Sequence, residues 1–136
     1  GVLRAPSAVL LEQMPHAVAT VLQHAKRLIV LEPWPSLPFI QRDCLAAAQT
    51  VAECAGQADW PLESTGRLQE LESSEPRLRL ISLNDLICPR LPTCDAVVHG
   101  LIVRVDHNHL NYHFGITLAE ALEQRLADAG AFATSP

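Results

Sequence analysis

The densest cluster of chemically capable side chains is Asp106-His107-Asn108-His109-Leu110-Asn111-Tyr112-His113, which holds three of the six histidines. Three chemistries fit it. Asp106 and His109 have the Asp-x-x-His spacing of a base and its orienting carboxylate. An imidazole near neutral pH can take a proton from a nucleophile. An anion at its other nitrogen fixes the tautomer and stabilises the imidazolium. One turn can fold an Asp back onto a His three residues later, so a single loop supplies both groups. Alternatively His107, His109 and His113, with Asp106, could hold a metal ion, since His-x-His suits two ligands from one extended segment. No matching ligand cluster occurs elsewhere: His16 and His24 fall on a predicted helix and His99 stands apart. The third reading is a polar loop that caps a helix through Asn111.

The elements around this cluster follow from apolar spacing. A first helix is predicted from about Pro15 to Lys26. Pro15 would sit in the first turn, and Ala17, Val18, Val21, Leu22 and Ala25 would form one stripe. Lys26 and Arg27 would complement the dipole at its end. Leu28 to Leu31, apolar on both faces, reads as a buried parallel strand. Glu32-Pro33-Trp34-Pro35-Ser36-Leu37-Pro38 ends it, because prolines at this density permit neither helix nor ladder. That segment is either a ligand-binding loop at a strand's C-terminal end or a rigid connector.

An Ala-rich helix is expected from about 43 to 55, stopped by Gly56, and a weaker helix from 62 to 71. A second strand is marked by Leu78, Leu80, Ile81 and Leu83. A loop carrying Cys88, Pro89, Pro92 and Cys94 follows. Leu101, Ile102, Val103 and Val105 form a short third strand or extended segment. The last helix spans about 114 to 128, with Leu118, Leu122 and Leu126 packed on the sheet and Gly130 beyond its end. This order is α/β, and two or three strands are fewer than a doubly wound sheet carries.

Composition narrows the function class. The 136 residues are 49% hydrophobic, 18% charged and 4% aromatic, with a net charge of −5. That is globular usage, with a core of Leu, Val, Ile and Ala. The ten Lys and Arg are scattered and outnumbered by fifteen acids, which argues against a nucleic-acid surface. No apolar run approaches the ~20 residues of a membrane span. Four cysteines at 44, 54, 88 and 94 fit two disulfides and an oxidising compartment, or four free thiols. None forms the C-x-x-C of a zinc ribbon or thioredoxin-type site.

Cys88-Pro89, Cys94, Gly100-Leu101-Ile102-Val103-Arg104-Val105-Asp106-His107-Asn108-His109-Leu110 and the helix from Gly115 to Leu126 together resemble the C-terminal end of an SGNH domain. The kind resembled is the one fused to bacterial acyltransferase-3 type membrane O-acyltransferases. Val30-Leu31-Glu32-Pro33-Trp34-Pro35 is similar to its central strand. The resemblance spans roughly residues 15 to 128. It implies a three-layer, mostly parallel α/β sheet of the SGNH or flavodoxin-like kind, present here as its C-terminal half within a single or partial domain over 1–136. It implies His109 as general base and acid and Asp106 as its orienting partner. The acyl donor and a cell-envelope carbohydrate acceptor would be the substrates. A membrane acyltransferase domain would share the parent chain outside the cytoplasmic membrane. No cofactor and no metal are implied.

Cys44 and Cys54 resemble the family's additional cysteine pair, so local disulfides, Cys44–Cys54 and Cys88–Cys94, are expected. The first requires the Ala-rich segment to break. In an unbroken helix its cysteines would stand ~15 Å apart along the axis, and a disulfide needs Cα atoms within ~7 Å. The family's nucleophile is the Ser of a Gly-Asp-Ser block, which does not occur in this sequence. Asn84-Asp85 lacks the Gly that precedes the family's oxyanion Asn. Ser36 lacks a nucleophile's strand-to-helix turn. The chain alone is therefore expected to be inactive. A half-sheet would leave a strand edge open to a partner, to self-association or to the missing strands.

Overall fold

A computed structural model of the protein describes residues 7–133. Its centre is a parallel pair of strands, β1 (Leu28–Leu31) and β3 (Leu78–Ile81), in the register Leu28↔Leu78 to Leu31↔Ile81. Helices α1 (Ser7–Leu22) and α3 (Glu63–Ser74) cover one face. Val18 and Leu22 of α1 and Leu71 of α3 pack there on Leu28, Val30 and Leu78. The α/β class is as expected.

Four details of this layer differ from the sequence reading. Helix α1 starts before Pro15, which lies inside it, and ends at Leu22 rather than Lys26. Only Val18 and Leu22 of the expected stripe are buried, and Val21 is exposed. Arg27 instead donates to the carbonyls of Ala129 and Gly130, at the far end of the chain. Strand β1 is half-buried rather than buried, with Leu31 at its exposed end. The reason is that only β3 pairs with it among the described residues. The two outer edges are unequal. On β3 the Leu80 N–H is taken by the Glu72 carboxylate at 2.8 Å, a side-chain cap that closes an edge against further pairing. Among the described residues no comparable cap is found on β1.

The segment after β1 does not form the expected 43–55 helix. It holds a short helix α2 (Gln41–Leu45), a turn, a 3₁₀ turn (Val51–Cys54) and strand β2 (Gly56–Gln57). The break lets Cys44 and Cys54 bond with Cα atoms 5.7 Å apart. Gly56 is no helix stop. A Cβ there would lie 3.0 Å from the side chains of Leu37 and Phe39, so the residue permits a close approach. Strand β2 pairs antiparallel with β4 (Thr93–Cys94), and Cys94 bonds Cys88 across a Cα distance of 4.7 Å. A digest of unreduced protein should contain these two cross-linked peptide pairs, by mass spectrometry, and no mixed pair. Breaking either bond should cost about 2–3 kcal/mol, the loop-closure value for loops this short.

Helix α4 (Asn84–Ile87) leads into that disulfide. The expected third strand is not part of the parallel sheet. It is a hairpin of β5 (Val97–Val98) and β6 (Leu101–Ile102), turned by His99 and Gly100. Both have positive φ, 49° and 79°, as a two-residue primed turn requires. The last helix is divided into α5 (Tyr112–Thr117) and α6 (Ala119–Asp128). The Thr117 hydroxyl donates to the Phe114 carbonyl at 2.6 Å. The Leu118 N–H turns to Gly115 O instead, which tightens the helix there. Leu118 and Leu122 pack with Leu83, Ile87, Val98, Val103 and Phe114 rather than on the parallel pair β1–β3. Leu126 is half-buried.

Candidate active site

The Asp106–His109 turn follows from backbone pairing on both sides of it. Arg104 bridges Leu110 antiparallel. The Val105 N–H donates to His109 O at 3.0 Å, and Asn111 N–H to Val103 O at 2.8 Å. Five residues must therefore reverse direction, and Asp106 supplies the chemistry. Its Oδ1 accepts the N–H of Asn108 at 3.0 Å and of His109 at 2.7 Å, an Asx turn. That leaves Oδ2 to face the imidazole, and His109 Nδ1 lies 2.7 Å from it. A carboxylate only accepts, so Nδ1 carries the hydrogen and Nε2 is the basic nitrogen. No residue among those described bonds Nε2. The cap reading also holds for its own residue: Asn111 Oδ1 accepts the His113 N–H at 2.9 Å and starts α5.

The Asp106 carboxyl is held well below the usual carboxylate range. The His109 and Asn108 backbone N–H groups are the first causes, and the His109 ring follows. A group with a depressed folded-state pKa adds stability above its unfolded pKa, and that stability fades as pH falls through the folded value. Asp106→Asn should therefore flatten the acid side of the stability profile below about pH 4. Denaturant melts over pH 2–8 check this. An unaltered acid limb would mean that the turn does not hold the carboxylate in solution.

The proline-rich segment after β1 is tied to this turn by three hydrogen bonds and to Arg104 beside it by a fourth. The Trp34 indole N–H donates to Asn108 O at 2.6 Å. Leu37 and His107 exchange two bonds: Leu37 N–H to His107 O at 2.9 Å, and His107 Nδ1–H to Leu37 O at 2.9 Å. Arg104 Nη2 donates to Pro35 O at 3.2 Å. The segment is thus a rigid connector, and it also forms one wall of a cleft. Leu31, Glu32, Pro33 and Trp34 line a cavity of about 440 Å³ together with Asn108 and His109. It opens at the C-terminal end of β1, where open α/β sheets place ligands.

The three histidines of the metal reading do not converge. His107 Nδ1 is bound to Leu37 and His109 Nδ1 to Asp106. Among the described residues no three His, Cys, Asp or Glu side chains are grouped to hold a metal ion. Ser36 is exposed and makes no bond to His109. Two buried residues that sequence reading passed over support the cleft. Gln41 is fully buried and donates to Cys54 O at 3.0 Å and Cys94 O at 2.9 Å. Arg104, also fully buried, donates to Gln41 Oε1 at 3.4 Å. Burial pushes the Arg104 guanidinium down to about 10.

A family model described as "SGNH domain (fused to AT3 domains)" matches residues 4–124. The chain belongs to this family. No curated protein and no solved structure matches it. Within this SGNH domain the matched region contains the whole Asp106–His109 turn and both disulfides. Membership associates the domain with a membrane acyltransferase in its parent protein. Two disulfides fit an oxidising compartment. No helix among the described residues is long and apolar enough to cross a membrane.

Proposed function

We propose that this SGNH domain serves acyl transfer or ester hydrolysis outside the cytoplasmic membrane, on O-acyl groups of a cell-envelope carbohydrate. The observation that carries the reading is the 2.7 Å bond from His109 Nδ1 to Asp106 Oδ2. It leaves Nε2 basic and unpaired beside a cleft at the sheet's C-terminal edge. His109 is the catalytic residue and Asp106 its positioning partner. The serine of the family's Gly-Asp-Ser block, which these 136 residues lack, comes from another part of the same domain.

In this reading the serine Oγ–H gives its proton to His109 Nε2 as Oγ attacks the acyl carbonyl. The donor's oxygen leaves with that proton, and an acyl-serine ester remains. A sugar hydroxyl or water then gives its proton to Nε2 and attacks the ester, and the serine recovers its hydrogen from His109. Asp106 stays ionised throughout and stabilises the imidazolium. Three-quarters of the His109 side chain is exposed here, which suits a dyad completed by further chain. The uncapped outer edge of β1, against the Glu72-capped edge of β3, supports continuation of a three-layer parallel sheet beyond β1. Self-association through that edge is the competing use.

The test uses the full-length protein. With an acetyl ester as donor, wild type should form acyl-enzyme detectable by intact-mass spectrometry, and His109→Ala should not. Equal acyl-enzyme and turnover in both would refute the assignment of His109 and favour a non-catalytic role for the fold.

A further inference from the structure

Glu32 is a carboxylate buried to 8% exposure at the C-terminal end of β1, and proton transfer by His109 does not use it. Its backbone N–H extends the parallel ladder to Ile81 O at 2.8 Å, so its position is fixed. Its Oε2 accepts from Asn84 Nδ2 at 3.2 Å. The same amide also donates to Pro33 O at 3.2 Å, which locks the end of the strand. Oε1 has no partner among the described residues, yet it is not one of the sealed, unpartnered polar atoms. It keeps access to solvent, and the cavity that Glu32 lines is the His109 cleft. A buried carboxylate costs free energy unless its charge is used or paired. No Lys or Arg among the described residues lines this cleft.

The remaining walls agree with one ligand chemistry. Trp34 is half-buried, with its indole N–H committed to Asn108 O. The residue packs against the buried cluster that includes Leu83, Ile87 and Phe114, and it is the aromatic member of the cavity lining. The Asn108 side chain is exposed beside it. An aromatic face takes the C–H side of a sugar ring, and a carboxylate oxygen accepts its hydroxyls. Fixed polar groups in an apolar cleft set orientation.

We infer that the Glu32–Trp34 end of β1 is the acceptor subsite, that it binds a neutral or amino-bearing sugar through a hydroxyl on Glu32 Oε1, and that it disfavours acidic sugars. The Glu32 carboxylate then meets the acceptor with no Lys or Arg among the described lining residues to offset it, so a uronate or phosphorylated sugar meets repulsion. This rests on the acyl-transfer reading and deepens it by naming the acceptor class.

The experiment measures, in the full-length protein, how acyl groups partition between added glycosides and water. The acceptors are methyl glucoside, methyl glucosaminide and methyl glucuronide. Wild type should prefer the first two over the glucuronide by at least tenfold in kcat/KM. Glu32→Gln keeps the shape and an oxygen for Asn84 but replaces the open acceptor with a donor. It should raise acceptor KM about tenfold, shift the partition toward water, and narrow the preference against glucuronide. Glu32→Asp, which keeps the charge but withdraws it by one methylene, should raise KM while retaining the preference. If Glu32→Gln leaves both KM and preference at wild-type values, the subsite is elsewhere. A silent His109→Ala would instead overturn the acyl-transfer reading. Should the protein turn over no donor, the same variants are read on a glycan array. There, no wild-type binding to neutral or amino sugars, or binding indifferent to Glu32→Gln, overturns the inference.

Discussion

Asp106→Asn is expected to lower acyl transfer about 10³- to 10⁴-fold, the loss seen when the orienting carboxylate of a Ser-His-Asp site becomes an amide, while the domain stays folded. The geometry makes the substitution unusually decisive. Asp106 Oδ1 already accepts two backbone N–H groups, from Asn108 and His109. An asparagine keeps the turn only by leaving its oxygen there, so its NH₂ must face His109 Nδ1. Nδ1 then has to accept, its hydrogen moves to Nε2, and the base is lost. Rotating the amide instead would restore the tautomer but place NH₂ against two N–H donors and open the turn. The turn and the base therefore compete for one oxygen. Steady-state kinetics and imidazole ¹⁵N shifts together check this: the rate should fall, and the proton should appear on Nε2. A rate within tenfold of wild type would mean that the carboxylate does not orient the base.

The Asp106–His109 hydrogen bond was legible in the sequence because it is local. Three residues separate Asp106 from His109, and an Asx turn needs nothing from elsewhere in the chain. Asn111 as a helix cap was legible for the same reason. What holds the turn in place was not. Trp34 meets Asn108, and Leu37 meets His107, across some seventy positions, and nothing in the spacing of a proline-rich segment names its partners. Local propensity misled where covalent chemistry overrode it. The Ala-rich stretch from 43 to 55 has a helical composition, but the Cys44–Cys54 bond requires its ends to meet. The last helix read as continuous because Leu118, Leu122 and Leu126 keep helical spacing; the break comes from one threonine hydroxyl. The exposure of β1 was hidden too. A four-residue apolar run predicts burial, and burial depends on strands beside it.

Gln41 and Arg104 were missed because buried polar residues carry no pattern of their own, and this makes Gln41→Ala the most informative test of the scaffold. Gln41 joins the two disulfide-bonded segments by donating to Cys54 O and Cys94 O. Its oxygen takes Arg104 Nη1, while Arg104 Nη2 holds Pro35 O and Nε has no partner. The guanidinium is thus buried among neutral acceptors with no carboxylate in contact. Removing the amide takes a donor from two carbonyls, at about 1–3 kcal/mol for a buried group left unsatisfied, and takes from a buried charge one of its two acceptors. Gln41→Ala should therefore destabilise by about 3–5 kcal/mol, at the upper end for single substitutions, although both disulfides remain. Gln41→Glu should not restore stability. Its carboxylate would pair with Arg104 but would set negative charge against the two carbonyls that the amide now serves. Denaturant unfolding of the three proteins with disulfides intact decides the matter. Full recovery in Gln41→Glu would show that the uncompensated Arg104 charge, not the two carbonyls, is what Gln41 exists to satisfy. A loss below about 1 kcal/mol in Gln41→Ala would show that the disulfides alone fix this layer. The expected outcome links scaffold to chemistry, because Pro35 and Leu37, held by this layer, are the segment on which the His109 turn is braced.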